Sequence, residues 1–274
     1  MHTVNVNGAT IPALGFGTHE LRGSTAAEMV ETALAVGYRH IDTAQAYGNE
    51  EAVGAGIAAS GLPREELFLT TKVWPDRFRA SDLQRSVDES LARLNSPYVD
   101  LLLLHWPNPE VPLEETIGAL NDMRRIGRAR HIGISNFTSD QVQQAVGLSD
   151  EPLVVNQVEY HPFLAQDEVL DTLRRNGLGL VAYSPLAQGL VFGNDSLAEI
   201  AERHGKSAGQ VALRWLVQQD GVCAIPRTAN ADHARANFEV FDFELTGDEM
   251  EGISRLSRER RRLVDPEEVA PDWD

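Results

Sequence analysis

The sequence predicts a (β/α)8 TIM barrel, and three observations carry that prediction. Eight short apolar runs alternate with longer amphipathic stretches, and strands that alternate with helices imply a parallel sheet. No long linker interrupts the series, which favours a closed barrel over an open sheet. The length of 274 residues suits one such barrel spanning 1–274, with ample material for a buried core.

The elements follow in order. The segment Val4-Asn5-Val6-Asn7-Gly8-Ala9-Thr10-Ile11-Pro12 alternates about Asn7-Gly8, the signal of a short β-hairpin. It precedes the repeating part and is placed to plug one end of the barrel. Strands are expected at 14–16, 39–42, 67–71, 99–105, 131–133, 153–159, 179–184 and 222–225. Helices are expected between them at 25–36, 50–60, 80–94, 113–126, 139–146, 166–175 and 196–219, the last broken into two near Gly205. Gly37, Gly61, Gly127, Gly147 and Gly177 each follow a periodic segment and act as stop signals. Thr25 and Glu28 have the spacing of a capping box. The tail, 258–274, is charged and aperiodic, and is expected to be a solvated, mobile end. A doubly wound sheet would want Gly-x-Gly-x-x-Gly after its first strand. Here Gly15-Phe16-Gly17 runs into Thr18-His19-Glu20, and the third glycine is missing.

Composition narrows the function. Hydrophobic and charged residues make up 42% and 24% of the chain, as in ordinary globular proteins. No apolar run approaches the ~18 residues of a membrane span. The start, Met1-His2-Thr3-Val4-Asn5, has neither a charged nor an apolar signal region, so a cytoplasmic protein is expected. A net charge of −17 argues against nucleic acid and anionic membranes as partners. Lys72 and Lys206 are the only lysines; an acidic, lysine-poor surface suits a salt-rich cytoplasm and equally a GC-rich genome. Cys223, the single cysteine, lies in the run Val222-Cys223-Ala224-Ile225 and is expected to be a buried strand residue.

Reactive groups in such a barrel gather at the C-terminal ends of the strands. Asp42 ends the second strand, with Tyr47 in the loop beyond it; Lys72 ends the third and His105 the fourth. Each alone has an ordinary explanation as a turn former, loop aromatic, rim charge or hydrogen-bonded strand end. Together they make an acid. A free phenol, with a pKa of about 10, is too weak to lead proton donation at neutral pH. A cation at ~4 Å and an effective dielectric of ~20 attracts the phenolate by about 4 kcal/mol, an upper-end figure worth roughly three pKa units. Burial pulls the other way. Asp42 would hold Lys72 charged and oriented, and His105 would aim a substrate carbonyl.

Long stretches then carry a resemblance. GYRHIDTAQAYGNE at 37–50, LLLLHWP at 101–107, GISNF at 133–137, NQVEYHP at 156–162 and YSPL at 183–186 resemble the aldo-keto reductases, in the family's order, and the likeness runs from the Asn7-Gly8 hairpin to about Leu256. The resemblance implies a tetrad of Asp42, Tyr47, Lys72 and His105, with Tyr47 as general acid in carbonyl reduction. It implies NADPH as the hydride source. The nicotinamide end would meet Ser135, Asn136 and Gln157, with Tyr183 stacked under the ring and Thr18 and Asp42 at the ribose. Ser184, Leu186 and Gln188 would line the pyrophosphate.

The adenine end departs from the family. Ile225-Pro226-Arg227-Thr228 keeps a cation and a hydroxyl suited to a ribose phosphate. His233 stands where an Arg is usual, Ala236 replaces a Glu, and Asn237 is kept. A mostly neutral imidazole lacks the guanidinium fork, so a weakened NADPH preference and use of NADH are expected. For the substrate, a small carbonyl compound, the resemblance implies Trp74 and Trp106 as walls, with His19 where an aromatic is common. The connection at 106–112 is short and no long apolar tail follows the last helix. An open, polar-tolerant pocket is therefore expected, as in the prokaryotic diketogluconate-reductase-like branch, on a monomer. His40-Ile41-Asp42 and Glu159-Tyr160-His161 lack a second ligand pair at metal spacing, and no metal site is expected. A non-enzymatic nicotinamide-binding regulator on the same fold is the alternative; the complete tetrad argues for the enzyme.

Overall fold

The computed structural model describes residues 2–274 and, of Glu259, the backbone alone. A hairpin of β1 (Thr3–Val6) and β2 (Ala9–Pro12) opens the chain, turning through Asn7 and Gly8 at positive φ. Eight parallel strands follow: β3 (Phe16–Gly17), β4 (His40–Asp42), β5 (Phe68–Val73), β6 (Val99–Leu104), β7 (Ala129–Ser135), β8 (Leu153–Glu159), β9 (Gly179–Tyr183) and β10 (Val222–Ala224). Each pairs with its sequence neighbour, and a parallel bridge between Leu14 and Ala224 closes the ring. Backbone bonds from Gly15 N to Ala224 O and from Gly17 N to Pro226 O extend that seam.

Helices cover the outside: α1 (Gly23–Val36), α2 (Glu50–Ala59), α3 (Ala80–Leu94), α4 (Leu113–Arg125), α5 (Ser139–Leu148), α6 (Asp167–Arg175), α7 (Asp195–His204), α8 (Ala208–Val217), α9 (Ala231–Phe238) and α10 (Gly247–Leu256). The break at Gly205 is a left-handed cap, φ +63°, before a new capping box at Ser207 and Gln210. No helix is long and apolar enough to cross a membrane among the described residues.

The register explains where chemistry can sit. Asp42 pairs with Thr70, Lys72 with Leu103 and Gln157 with Val181. Side chains two apart share a face, so Asp42, Lys72, Ser135, Gln157 and Tyr183 continue the inward rows of Leu101, Leu103, Val155, Val181 and Cys223. The lower rows form an apolar cluster with Val4, Ile11 and Phe68. The hairpin closes that end: Asn7 Nδ2 donates to Leu153 O at 2.7 Å, at the start of β8. The inward rows therefore turn from apolar at the plugged end to polar at the C-terminal mouth. Cys223 is buried in the apolar part, and burial pushes its thiol up to about 12.

Several expectations need correction. Thr25 and Glu28 form no capping box, because α1 already begins at Gly23 behind Arg22, which makes no side-chain cap. The boxes that form are Thr138/Gln141, Ser207/Gln210 and Thr246/Glu249. Gly147 stops nothing: α5 runs through it to Leu148. Helices α9 (8 residues) and α10 (10 residues) also lie beyond the last expected helix. The tail is not a free solvated end. Arg261 N donates to Phe163 O, and Leu263 N and Val264 N donate to the buried Glu159 carboxylate at 2.8 and 2.9 Å. Asp274 accepts from Ser139 N at the start of α5.

Candidate active site

The centre of the mouth is a buried ion pair. Lys72 Nζ lies 2.5 Å from Asp42 Oδ1, 2.9 Å from Thr43 O and 3.2 Å from Tyr47 Oη. Lys72 is fully buried on β5 and Asp42 nearly so on β4. The short 3₁₀ turn Gln45–Tyr47 brings the phenol back over the strand ends. It is held by Gln45, whose Nε2 donates to Ser86 O and Ser90 Oγ. His105, one residue past β6, sets its ring 5.7 Å from that of Tyr47. The four side chains of the expected tetrad are thus in one place.

The charges set the protonation states. Burial alone would lower Lys72, but Asp42 and Tyr47 outweigh it and its pKa is raised, so it stays a cation. Burial raises the Tyr47 phenol, and the opposing pull of Lys72 does not cancel it. The net direction is therefore upward: Tyr47 remains a protonated donor at neutral pH, while Lys72 stands ready to stabilise the phenolate. Burial, then Lys72, puts His105 well below 6.5, so its imidazole is neutral. Its Nδ1 is buried without a partner. A proton there would be a stranded donor, which favours the tautomer carrying it on Nε2.

A second network reaches the tetrad from β7, β8 and β9. Gln157 Nε2 donates to Asp42 Oδ2 at 2.8 Å, and Ser135 Oγ donates to Gln157 O at 2.8 Å. Asn136, at φ +63°, donates through Nδ2 to His105 O and accepts from Tyr183 Oη. Thr18 Oγ1 donates to Asp42 O. Polar groups at the ends of β3, β4, β7, β8 and β9 are thus linked beside the tetrad, and this donor and acceptor set fits an amide-bearing ring with its ribose. Ser184 and Gln188 turn away through left-handed backbone, φ +49° and +51°, on either side of Leu186.

The remaining expected residues lie across the β3–β10 seam. Ile225 and Pro226 are buried, and Arg227 and Thr228 lead into α9, whose first N–H groups are capped by Asn230. A cation and a hydroxyl before a helix N-terminus fit a phosphate. His233 is exposed in the first turn of α9, and Asn237, one turn on, is buried. Arg235 points elsewhere and pairs with Asp232.

On the substrate side, His19 edges onto Tyr47 at 4.9 Å and Trp74 onto His105 at 5.2 Å between ring centroids. Partial burial and Arg227 lower the His19 pKa, so its ring is neutral. Trp106 is buried, and its neighbour corrects the expectation that no tail folds back. Trp273 packs on it at 6.1 Å, and Arg262 stacks on Trp273 at 3.6 Å. The tail does fold back, held both by backbone N–H groups on a carboxylate and by Leu263 and Trp273 against apolar side chains. No motif or period in the sequence marks Arg262, Trp273 or the pairing of Glu159 with His161, 2.9 Å apart. One signal was available: a Glu inside an otherwise apolar strand must find partners.

The family model described as Aldo/keto reductase family matches residues 13–258. The methylglyoxal reductase DkgB of Escherichia coli O157:H7 is 39% identical over 96% of this chain and 99% of its own. A solved structure provisionally assigned as a 2,5-diketo-D-gluconic acid reductase B is 52% identical, covers 100% of this chain and 98% of its own, and superposes with a TM-score of 0.98. A Bombyx mori aldo-keto reductase in complex with NADP is 34% identical over 96% of this chain and 95% of its own, with a TM-score of 0.90.

Proposed function

The chain belongs to the aldo/keto reductase family, and from that premise we propose that it reduces small aldehydes, 2-oxoaldehydes foremost, and related ketones to alcohols with NADPH and also NADH. The observation that carries the mechanism is Lys72 Nζ, within 2.5 Å of Asp42 and 3.2 Å of Tyr47 in a buried site. The reduced nicotinamide, when bound, supplies the hydride to the carbonyl carbon. Tyr47 Oη gives its proton to the carbonyl oxygen, and Lys72 stabilises the phenolate left behind. Neutral His105, through Nε2–H, orients and polarises the carbonyl. Asp42 keeps Lys72 charged and placed.

Ser135, Asn136 and Gln157 would hold the carboxamide, with Tyr183 beneath the ring and Thr18 and Asp42 at the ribose. Ser184, Leu186 and Gln188 would flank the pyrophosphate. Ile225, Arg227, Thr228 and Asn237 would receive the adenosine end, with exposed His233 a weaker phosphate ligand than Arg. His19, Trp74 and Trp106 would wall the substrate, with Trp273 beside them. The Escherichia coli relative, named a methylglyoxal reductase, supports the substrate class.

The test follows reduced nicotinamide absorbance with purified protein, methylglyoxal and each cofactor. Decay is expected with both. In Tyr47→Phe, kcat should fall by about 10²–10⁴-fold while cofactor binding survives; unchanged turnover would sink the mechanism. The wild-type reduction rate should be flat through neutral pH and decline only in alkali, because the Tyr47 pKa is raised above 10.0.

A further inference from the structure

We propose that Glu20 sets cofactor choice by occupying Arg227, so that a cofactor's 2′-phosphate must displace a carboxylate to reach the cation. The inference rests on the reading that Arg227 receives that phosphate. Four observations support it.

Glu20 carboxylate Oε2 forms an ion pair with Arg227 Nη2, and among the described residues no other acid lies within ion-pair distance of Arg227. Glu20 takes a left-handed backbone, φ +62°, which a non-glycine residue adopts uncommonly. It is the turn after Thr18 and His19, and therefore stands beside the mouth. The two loops are stitched together at their bases: Gly17 N donates to Pro226 O at 3.0 Å, and a Cβ on Gly17 would lie 3.7 Å from that of Arg227. The pair is open to water, with side chains 60% and 38% exposed for Glu20 and Arg227. An anion from solution can therefore compete for Arg227.

The two dinucleotides differ at this point alone. NADH has no 2′-phosphate and leaves the Glu20–Arg227 pair in place. NADPH must break the pair and then sits beside the displaced carboxylate. Glu20 thus selects against the phosphate without touching the nicotinamide end, and it adds to the weakness of His233. Repulsion of the wrong ligand is a common route to specificity.

The experiment titrates the protein with NADPH and with NADH, reading tryptophan fluorescence, in wild type, Glu20→Gln, Arg227→Gln and the double variant. An exposed ion pair changes an equilibrium by no more than about fivefold. Glu20→Gln should therefore bind NADPH three- to fivefold more tightly, about 0.7–1 kcal/mol, with NADH unchanged. Its NADPH affinity should fall more steeply with salt, because Arg227 is no longer neutralised locally. Arg227→Gln should weaken NADPH, and adding Glu20→Gln to it should give no further gain. Equal shifts for both cofactors, or none, would overturn the proposal and make Glu20 a tie between loops. A gain that persists without Arg227 would overturn it too. If the wild type binds neither dinucleotide, the functional reading itself fails, which is a separate outcome.

Discussion

Replacing Lys72 by methionine removes the charge at the centre of the site and keeps most of its volume. Asp42 Oδ1 then loses its 2.5 Å partner, and Oδ2 keeps Gln157 Nε2 at 2.8 Å. Asp42 is 1% exposed, so water cannot replace the ammonium. Breaking a buried pair on one side costs about 3–5 kcal/mol. For 274 residues the unfolding entropy is about 0.6 kcal/mol/K, so Tm should fall by about 5–9 °C. Lys72→Met with Asp42→Asn strands no charge and should recover most of that loss, a coupling that a double-mutant cycle measures. The single variant's deficit should also depend on pH. A stranded carboxylate sheds its charge by taking a proton, whereas an unfolded carboxyl does so only near pH 3.9. The deficit is therefore full at neutral pH and shrinks as pH falls toward about 4. Reductase turnover should stay low in both variants, because neither holds a cation at Tyr47. Calorimetry between about pH 4 and pH 8 decides the matter. Equal destabilisation of single and double variants, with no pH dependence, would show that packing rather than charge was lost.

Two further predictions concern the frame around the site. Glu159→Gln exchanges a carboxylate that accepts from Leu263 N, Val264 N and His161 for an amide with one acceptor; hydrogen bonds to a charged group are worth about 1.5–3 kcal/mol. Trypsin should then cut among Arg258, Arg260, Arg261 and Arg262 about ten- to a hundredfold faster, and an unchanged cleavage rate would refute the anchor. Gly17→Ala places a Cβ 2.8 Å from Ile225 O across the closing seam. Overpacking against backbone should cost about 1–3 kcal/mol, read as a lower Tm; a stable variant would mean that the seam gives way easily.

The alternating apolar and amphipathic runs made the barrel legible, because strand and helix periods are local properties of the chain. The hairpin showed in Asn7-Gly8 for the same reason. The tetrad was legible because Asp42, Lys72 and His105 fall at or near strand ends, and in a parallel barrel all such ends share one mouth. Strand limits were less so: Lys72 lies inside β5 and His105 just beyond β6. Thr25 and Glu28 had the right spacing for a capping box, but α1 begins two residues earlier, at Gly23, so Thr25 lies inside the helix.

By itself, the sequence determined the fold class, the family and the four groups at the centre, since each is written in short-range pattern and motif. The tertiary structure alone decided the balance of burial against charge at Tyr47. It alone joined Glu20 to Arg227, Glu159 to the 263–264 backbone and Trp273 to Trp106. Those contacts bridge long separations in sequence through backbone N–H groups and surface loops. Neither carries a periodic signal, and their partners are chosen by proximity only after the barrel has closed.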